Sequence, residues 1–337
     1  MGVKAERWVT SYAGNFHNVE AAAKVVEETI YDTLQGRALD VHLVKTRAKS
    51  LDSVREKIER QEYGNPAAQF DDLIGARVIT LFEHAVPEAI DYLRGRFDVD
   101  EERSVNKTQA LKMRQVGYRS HHLVVKARRP GDGPVGDVLR RTFIEIQVKS
   151  VLAHSWAEIE HSLRYKIGTG IPQELGRRFD ALAGALELAD REFSGIETET
   201  VDFVKAKAER YRSGQDLSDS LSTVQLLAVL ASSRPGMDPL GPHDLVLPIE
   251  DAFRYAKVLN KCGFSTAEMI RSRIATNDVL TVLDRYVELR GIGDLQRSSA
   301  IVVIAAIVGL ASPEIFRSVT AFVSDPLLIE ALGLDGS

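Results

Sequence analysis

The chain has 337 residues, 44% hydrophobic and 27% charged, with a net charge of −5. That length exceeds one compact core of ordinary size, and the composition excludes general disorder. The negative balance excludes a uniformly cationic surface for nucleic acid and leaves only a local basic patch as an option.

The opening MGVKAERWVT lacks the apolar run of a signal peptide. Residues 17–35 predict a helix stopped by Gly36, and 38–45 alternate like a strand. A helix is expected over 51–62, a GNP loop at 64–66, a strand at 76–82 and a helix near 86–96. A third strand follows at 120–128, and the breaker-rich RPGDGPVG at 129–136 reads as a hairpin-like loop. FIEIQVK at 143–149 is a fourth strand, and 150–166 a helix, closing a mixed α/β domain near residue 168.

Beyond it, 172–212 reads as helix, with Pro172 suited to a first turn and an apolar stripe of Leu182, Leu186 and Ala189. The proline-rich 232–248 reads as a linker or irregular crossing, and 249–332 is helical again. The single cysteine, Cys262, excludes an internal disulfide and is expected to be a small core residue in a cytoplasmic protein. The longest apolar run, 300–311, is too short to span a bilayer and predicts a buried helix, so no membrane partner is expected. The fold class expected is α+β, a mixed sheet with flanking helices, followed by an all-α C-terminal region. The divisions are 1–170, a helical extension at 171–214, and a helical domain at 215–337.

Four stretches carry candidate chemistry. VKTRAKSLDSVREK gathers Lys45, Arg47, Lys49, Arg55 and Lys57, with Ser53 and Glu56 spaced as a capping box. A helix N-terminus flanked by cations attracts phosphate, although a solvated basic surface has the same composition. FDDLIGARVITLF places Asp71 and Asp72 just ahead of a strand, where a carboxylate suits Mg²⁺ but also serves as an ordinary turn residue. In QVGYRSHHLVV, Tyr118 offers a stacking face and Arg119 a phosphate or ring contact, while His121 and His122 point to opposite sides. In FIEIQVK, Glu145, Gln147 and Lys149 share one face of an otherwise apolar strand, so that face either meets water or lines a site. On the next helix His154, Glu158, His161 and Tyr165 share a face, which reads as a polar floor beneath a site rather than a zinc centre.

Taken in order, R-x-K at 47–49, D-L-I-G-x-R at 72–77, G-Y-R-S-x-H at 117–122, E-I-Q-V-K at 145–149 and H-x-W-A-E-I-E-H-x-x-x-Y-K at 154–166 resemble the synthetase domain of the RelA/SpoT family. The resemblance implies a nucleotidyltransferase-like fold and transfer of the β,γ-pyrophosphate of ATP to the 3′-hydroxyl of GDP or GTP, giving the alarmones ppGpp and pppGpp. It implies ATP contacts from Arg47, Lys49, Lys57 and Arg77, with Asp72 and Glu145 as Mg²⁺ ligands. Glu145 alternatively activates the attacking hydroxyl. The acceptor contacts it implies are Arg114, Tyr118, Arg119, His122 and Gln147, with Tyr118 stacking on guanine.

The segment EERSVNKTQALKMRQVGY departs from the family pattern: it lacks a Pro-Lys pair, and Arg114 stands where a lysine is expected. Toxic relatives pyrophosphorylate the 3′ end of tRNA, so the departure, with basic residues at 103, 107, 112, 114 and 119, makes tRNA the rival acceptor. The stretch before residue 40 leaves no room for a metal-dependent hydrolase domain, so no hydrolase activity is expected. Small members assemble through C-terminal helices, which implies a homo-oligomer with 172–212 as a candidate interface.

Overall fold

The structure is a computed structural model and describes residues 2–35, 39, 41–106, 120–167, 172–232, 247, 249–290 and 298–334. It comprises two units, Met1–Ile196 and Glu197–Ser337. The boundary falls inside the helix Gln173–Arg212.

The first unit is built on a five-stranded mixed sheet. Its strands are β1 (Val41–Ala48), β2 (Ile74–Thr80), β3 (Phe97–Asn106), β4 (His121–Ala127) and β5 (Ile144–Ser150), in the spatial order β1-β2-β5-β4-β3. The β2–β5 pair is parallel and the other three are antiparallel. Helices α1 (Val3–Gly14), α2 (Phe16–Gln35), α3 (Leu51–Gln61), the single turn α4 (Pro66–Gln69), α5 (Ala85–Arg96), α6 (Gly133–Arg141) and α7 (Val151–Ile167) surround it.

Alternation divides the sheet into two unlike faces. Ile74, Ala76, Val78, Leu123, Val125, Ile144, Ile146 and Val148 are buried and belong to one core with α2, α5 and α6. The opposite face carries the ionisable residues. Helix α7 leaves β5 and lies over part of that face, where its Glu158 pairs with Arg77 at 2.9 Å.

Several boundaries differ from expectation. The first strand runs three residues later than 38–45, and the second begins at Ile74, two residues before the expected 76. The stretch 129–136 is not a hairpin: Gly131 and Gly133, with φ of 74° and 77°, turn the chain into α6, whose first turn holds Pro134. Gly136 lets this turn close, since a Cβ there would lie 2.3 Å from the Gly131 carbonyl oxygen. The capping box at Ser53 and Glu56 does not form. Ser50 caps α3 instead, its side chain accepting from the Ser53 N–H, because the helix starts at Leu51. Helix α1 and the edge strand β3 have no counterpart in the sequence reading.

The long helix α8 (Gln173–Arg212) is followed by α9 (Thr223–Ser232), α10 (Ile249–Lys261), α11 (Ala267–Ile274), α12 (Asn277–Arg290), α13 (Ser298–Ala311), α14 (Pro313–Ser318), α15 (Thr320–Val323) and α16 (Pro326–Ala331). The core of the second unit is apolar and includes Tyr211, Tyr255, Tyr286, Phe316 and Phe322 with residues of α13. Ile304, Ala305, Ala306, Ile307 and Val308 are wholly buried, as the run at 300–311 predicts. Cys262 packs against the same core, and burial pushes its thiol pKa up. Among the described residues no helix is long and apolar enough to cross a membrane.

Candidate active site

Strand register builds the polar face as two rows. Lys45, Arg77, Gln147 and His122 stand opposite one another across β1, β2, β5 and β4. Arg47, Gly75, Glu145 and Val124 form the next row. Both follow from the period-2 alternation seen in FIEIQVK. Glycine in the second row keeps the surface low where Arg47 crosses it: a Cβ on Gly75 would lie 3.9 Å from Arg47 Cγ.

Asp72 precedes β2 and meets two cations. Lys49 Nζ lies 2.8 Å from one carboxylate oxygen and Lys57 Nζ 2.9 Å from the other. Lys49 comes from the residue after β1, and its N–H donates to the Leu73 carbonyl at 2.9 Å. Lys57 comes from α3, which turns Val54 and Ile58 into the core. Burial opposes ionisation of Asp72, but the hydrogen bonds and charges of Lys49 and Lys57 outweigh it and hold the carboxyl below its usual range.

Glu145 has a different environment. His122 Nδ1 lies 2.8 Å from its Oε1, and Gln147 Nε2 donates to Oε2 at 3.1 Å. Burial and the charge of Asp72 push its pKa up. The hydrogen bond and charge of His122, with the bond from Gln147, more than offset them, so Glu145 is also held ionised. The two carboxylates therefore sense each other across one face, one clamped by ammonium groups and the other by an imidazole and an amide.

Their chemistry fits a hard divalent cation, since both are ionised oxygen donors on one face and each carboxylate oxygen retains lone-pair capacity beyond the bonds described. Among the described residues no group of three or more His, Cys, Asp or Glu side chains converges as a metal cage. Two carboxylates with the remaining positions left to water and substrate phosphate is the arrangement Mg²⁺ commonly takes.

Of the sequence-predicted residues, Arg47, Lys49, Lys57, Asp72, Arg77, His122, Glu145 and Gln147 are brought to this face or its β1–α3 edge. Arg114, Tyr118 and Arg119 lie outside the described residues, as do Lys107 and Lys112. Arg103 is committed elsewhere. It pairs with Asp71 at 2.6 Å and with Asp100 at 3.3 Å, and packs 4.5 Å above the Phe143 ring.

On α7, His154 and Glu158 reach the far end of the polar face and His161 is exposed. Burial lowers the His154 pKa, helped by Lys149, Arg77 and His42 and opposed by Glu158. The sequence reading gave no role to Ser150, which ends β5. Its hydroxyl accepts from the Ala153 N–H and donates to Asp190 of α8, a carboxylate only 3% exposed whose pKa burial pushes up.

Residues 46–170 match the model of a family described as the region found in RelA / SpoT proteins. These residues form a RelA/SpoT domain. GTP pyrophosphokinase YjbM of Bacillus subtilis is 26% identical to this chain over 214 residues, covering 63% of the chain and 96% of that protein. GTP pyrophosphokinase YwaC of the same organism is 25% identical over 175 residues, covering 50% and 79%. Among solved structures, small alarmone synthetase 1 from Bacillus subtilis aligns with 25% identity and a TM-score of 0.46, covering 58% of this chain and 97% of that one. Its complex with the product pppGpp aligns with 26% identity and a TM-score of 0.45. The matched segment of the RelA/SpoT domain opens at Thr46, one residue before Arg47, and contains the whole two-row face except Lys45.

Proposed function

We propose that the chain is an alarmone synthetase that moves the β,γ-pyrophosphate of ATP onto the 3′-hydroxyl of GDP or GTP. The observation that carries this is the pairing of two ionised carboxylates, Asp72 and Glu145, on a sheet face edged by lysine and arginine. The GTP pyrophosphokinase relatives support it.

Arg47, Lys49, Lys57 and Arg77 neutralise and orient the donor triphosphate. Among the described residues neither Arg47 nor Lys45 has an acidic partner, so their charge is available to phosphate. Mg²⁺ held by Asp72 and Glu145 would supply charge neutralisation at the transferring phosphates. Pyrophosphoryl transfer needs positioning and electrostatic stabilisation and no covalent nucleophile on the protein. Alternatively, Glu145, kept ionised and oriented by His122 and Gln147, takes the proton of the attacking hydroxyl. His122 and Gln147 border the acceptor side, with Arg114, Tyr118 and Arg119 completing it and Tyr118 stacking on guanine.

The remaining proposals concern the whole chain: a cytoplasmic enzyme assembled as a homo-oligomer through 172–212. Residues 1–170 form the synthetase domain, 171–214 an extension and 215–337 a helical domain.

A tRNA 3′ end is the rival acceptor, favoured by the missing Pro-Lys pair and by the cations at 103–119. Arg103, which pairs with Asp71 and Asp100, is among the basic residues of that case. The experiment is one series of incubations with γ-labelled ATP and Mg²⁺, offering GDP, GTP or deacylated tRNA separately. The expected result is label on GDP or GTP, reduced by at least about 10³-fold in Asp72→Ala. Label on tRNA alone would replace the acceptor assignment, and no transfer to any acceptor would end the synthetase reading.

A further inference from the structure

Helix α1 lies outside the family-matched segment yet reaches the donor side of the site. Its buried stripe is Ala5, Val9 and Tyr12. The Tyr12 hydroxyl donates a 2.7 Å hydrogen bond to the backbone carbonyl of Lys49. Lys49 is thereby held at three points: its N–H by the Leu73 carbonyl, its carbonyl by Tyr12, and its ammonium by Asp72. The next residue, Ser50, caps α3, the helix that carries Lys57. The peptide that Tyr12 grips therefore joins the two lysine-bearing elements.

A column of rings fixes Tyr12 in turn. Tyr12 stacks on Trp8 at 5.4 Å and 16°, and Trp8 stacks on Phe70 at 5.5 Å and 10°. Phe70 stands two residues before Asp72, and Lys57 Nζ lies 5.4 Å from its ring centre. Burial, with the charges of Asp72 and Glu20, pushes the Tyr12 phenol up to about 12, so it remains a donor at neutral pH.

We propose that Tyr12 is a positioning residue for the donor site, fixing through the Lys49 carbonyl the direction in which Lys49 meets the triphosphate of ATP. The proposal rests on the reading of Lys49 as an ATP ligand. Tyr12→Phe keeps the ring column and removes only the hydroxyl. The measurement is binding of α,β-methylene ATP with Mg²⁺ by the full chain, together with KM for ATP and for the guanosine acceptor. Loss of one well-placed hydrogen bond predicts analogue binding about 5–10-fold weaker and a matching rise in KM for ATP, with the acceptor KM within about twofold.

Because Tyr12 acts through Lys49, adding Tyr12→Phe to Lys49→Ala is expected to change affinity by less than about twofold. Unchanged affinity in Tyr12→Phe, equal losses for both substrates, or additive losses in the double variant would overturn the proposal. Wild-type protein that binds the analogue but transfers nothing would remove the synthetase reading alone, and the affinity comparison would still decide the role of Tyr12. Wild-type protein that does not bind the analogue would overturn both.

Discussion

The two faces of the sheet are made by the same strands and answer to different physics. On one, Ile144, Ile146 and Val148 alternate into a core with Ile74, Ala76 and Val78, and their contribution is area removed from water. On the other, Glu145, Gln147 and Arg77 occupy the intervening positions, and burial there works against the charged groups until a partner offsets it. One residue of register separates a stability determinant from a chemical one.

The largest expected effect tests the polar face. Glu145→Gln keeps the shape and a hydrogen-bonding side chain but removes the charge, so initial rates of product formation per folded molecule should fall by about 10²–10³-fold. A loss below tenfold would mean that Glu145 is not at the reacting atoms. On the apolar face, Ile146→Ala leaves a cavity and should cost about 2–5 kcal/mol in denaturant unfolding, while the rate per folded molecule is kept. If rate fell and stability did not, the division between the faces would be wrong.

A smaller effect sharpens the contrast through pH. Asp72 and Glu145 have folded pKa values below their unfolded ones. The stability they contribute is fully present above the unfolded carboxylate range and is lost as pH falls through the folded values. Wild type should therefore lose stability across the acid range more steeply than Asp72→Asn, measured as melting temperature against pH. Parallel curves would show that the lysine clamp adds no net linkage.

Much of this was legible because alternation is local. FIEIQVK announces its two faces within seven residues, and the run at 300–311 announces its burial by composition alone. The edge strand β3 was not legible: FDVDEERSVN carries acids where a strand shows few, and its pairing with β4 is irregular between Asp100 and Val105. Helix α1 did carry a signal, since Ala5, Val9 and Tyr12 fall at helical spacing, but a short polar segment gives it weakly. The ordered motifs named candidate residues without their internal contacts. That Lys49 and Lys57 close on Asp72 from 23 and 15 positions away is a product of the β1–β2 pairing and the placement of α3, which no spacing rule contains.

Ser150 joins β5 to α7 and is held by Asp190, twenty residues beyond the end of the family-matched segment. At the other end Tyr12 holds Lys49 from thirty-four residues before it begins. The stretch that carries the contacts of these strands is thus longer at both ends than the family-matched segment. A fragment trimmed to 46–170 would keep Asp72, Glu145 and the lysines, and would lose the two outside groups that brace the strands carrying them.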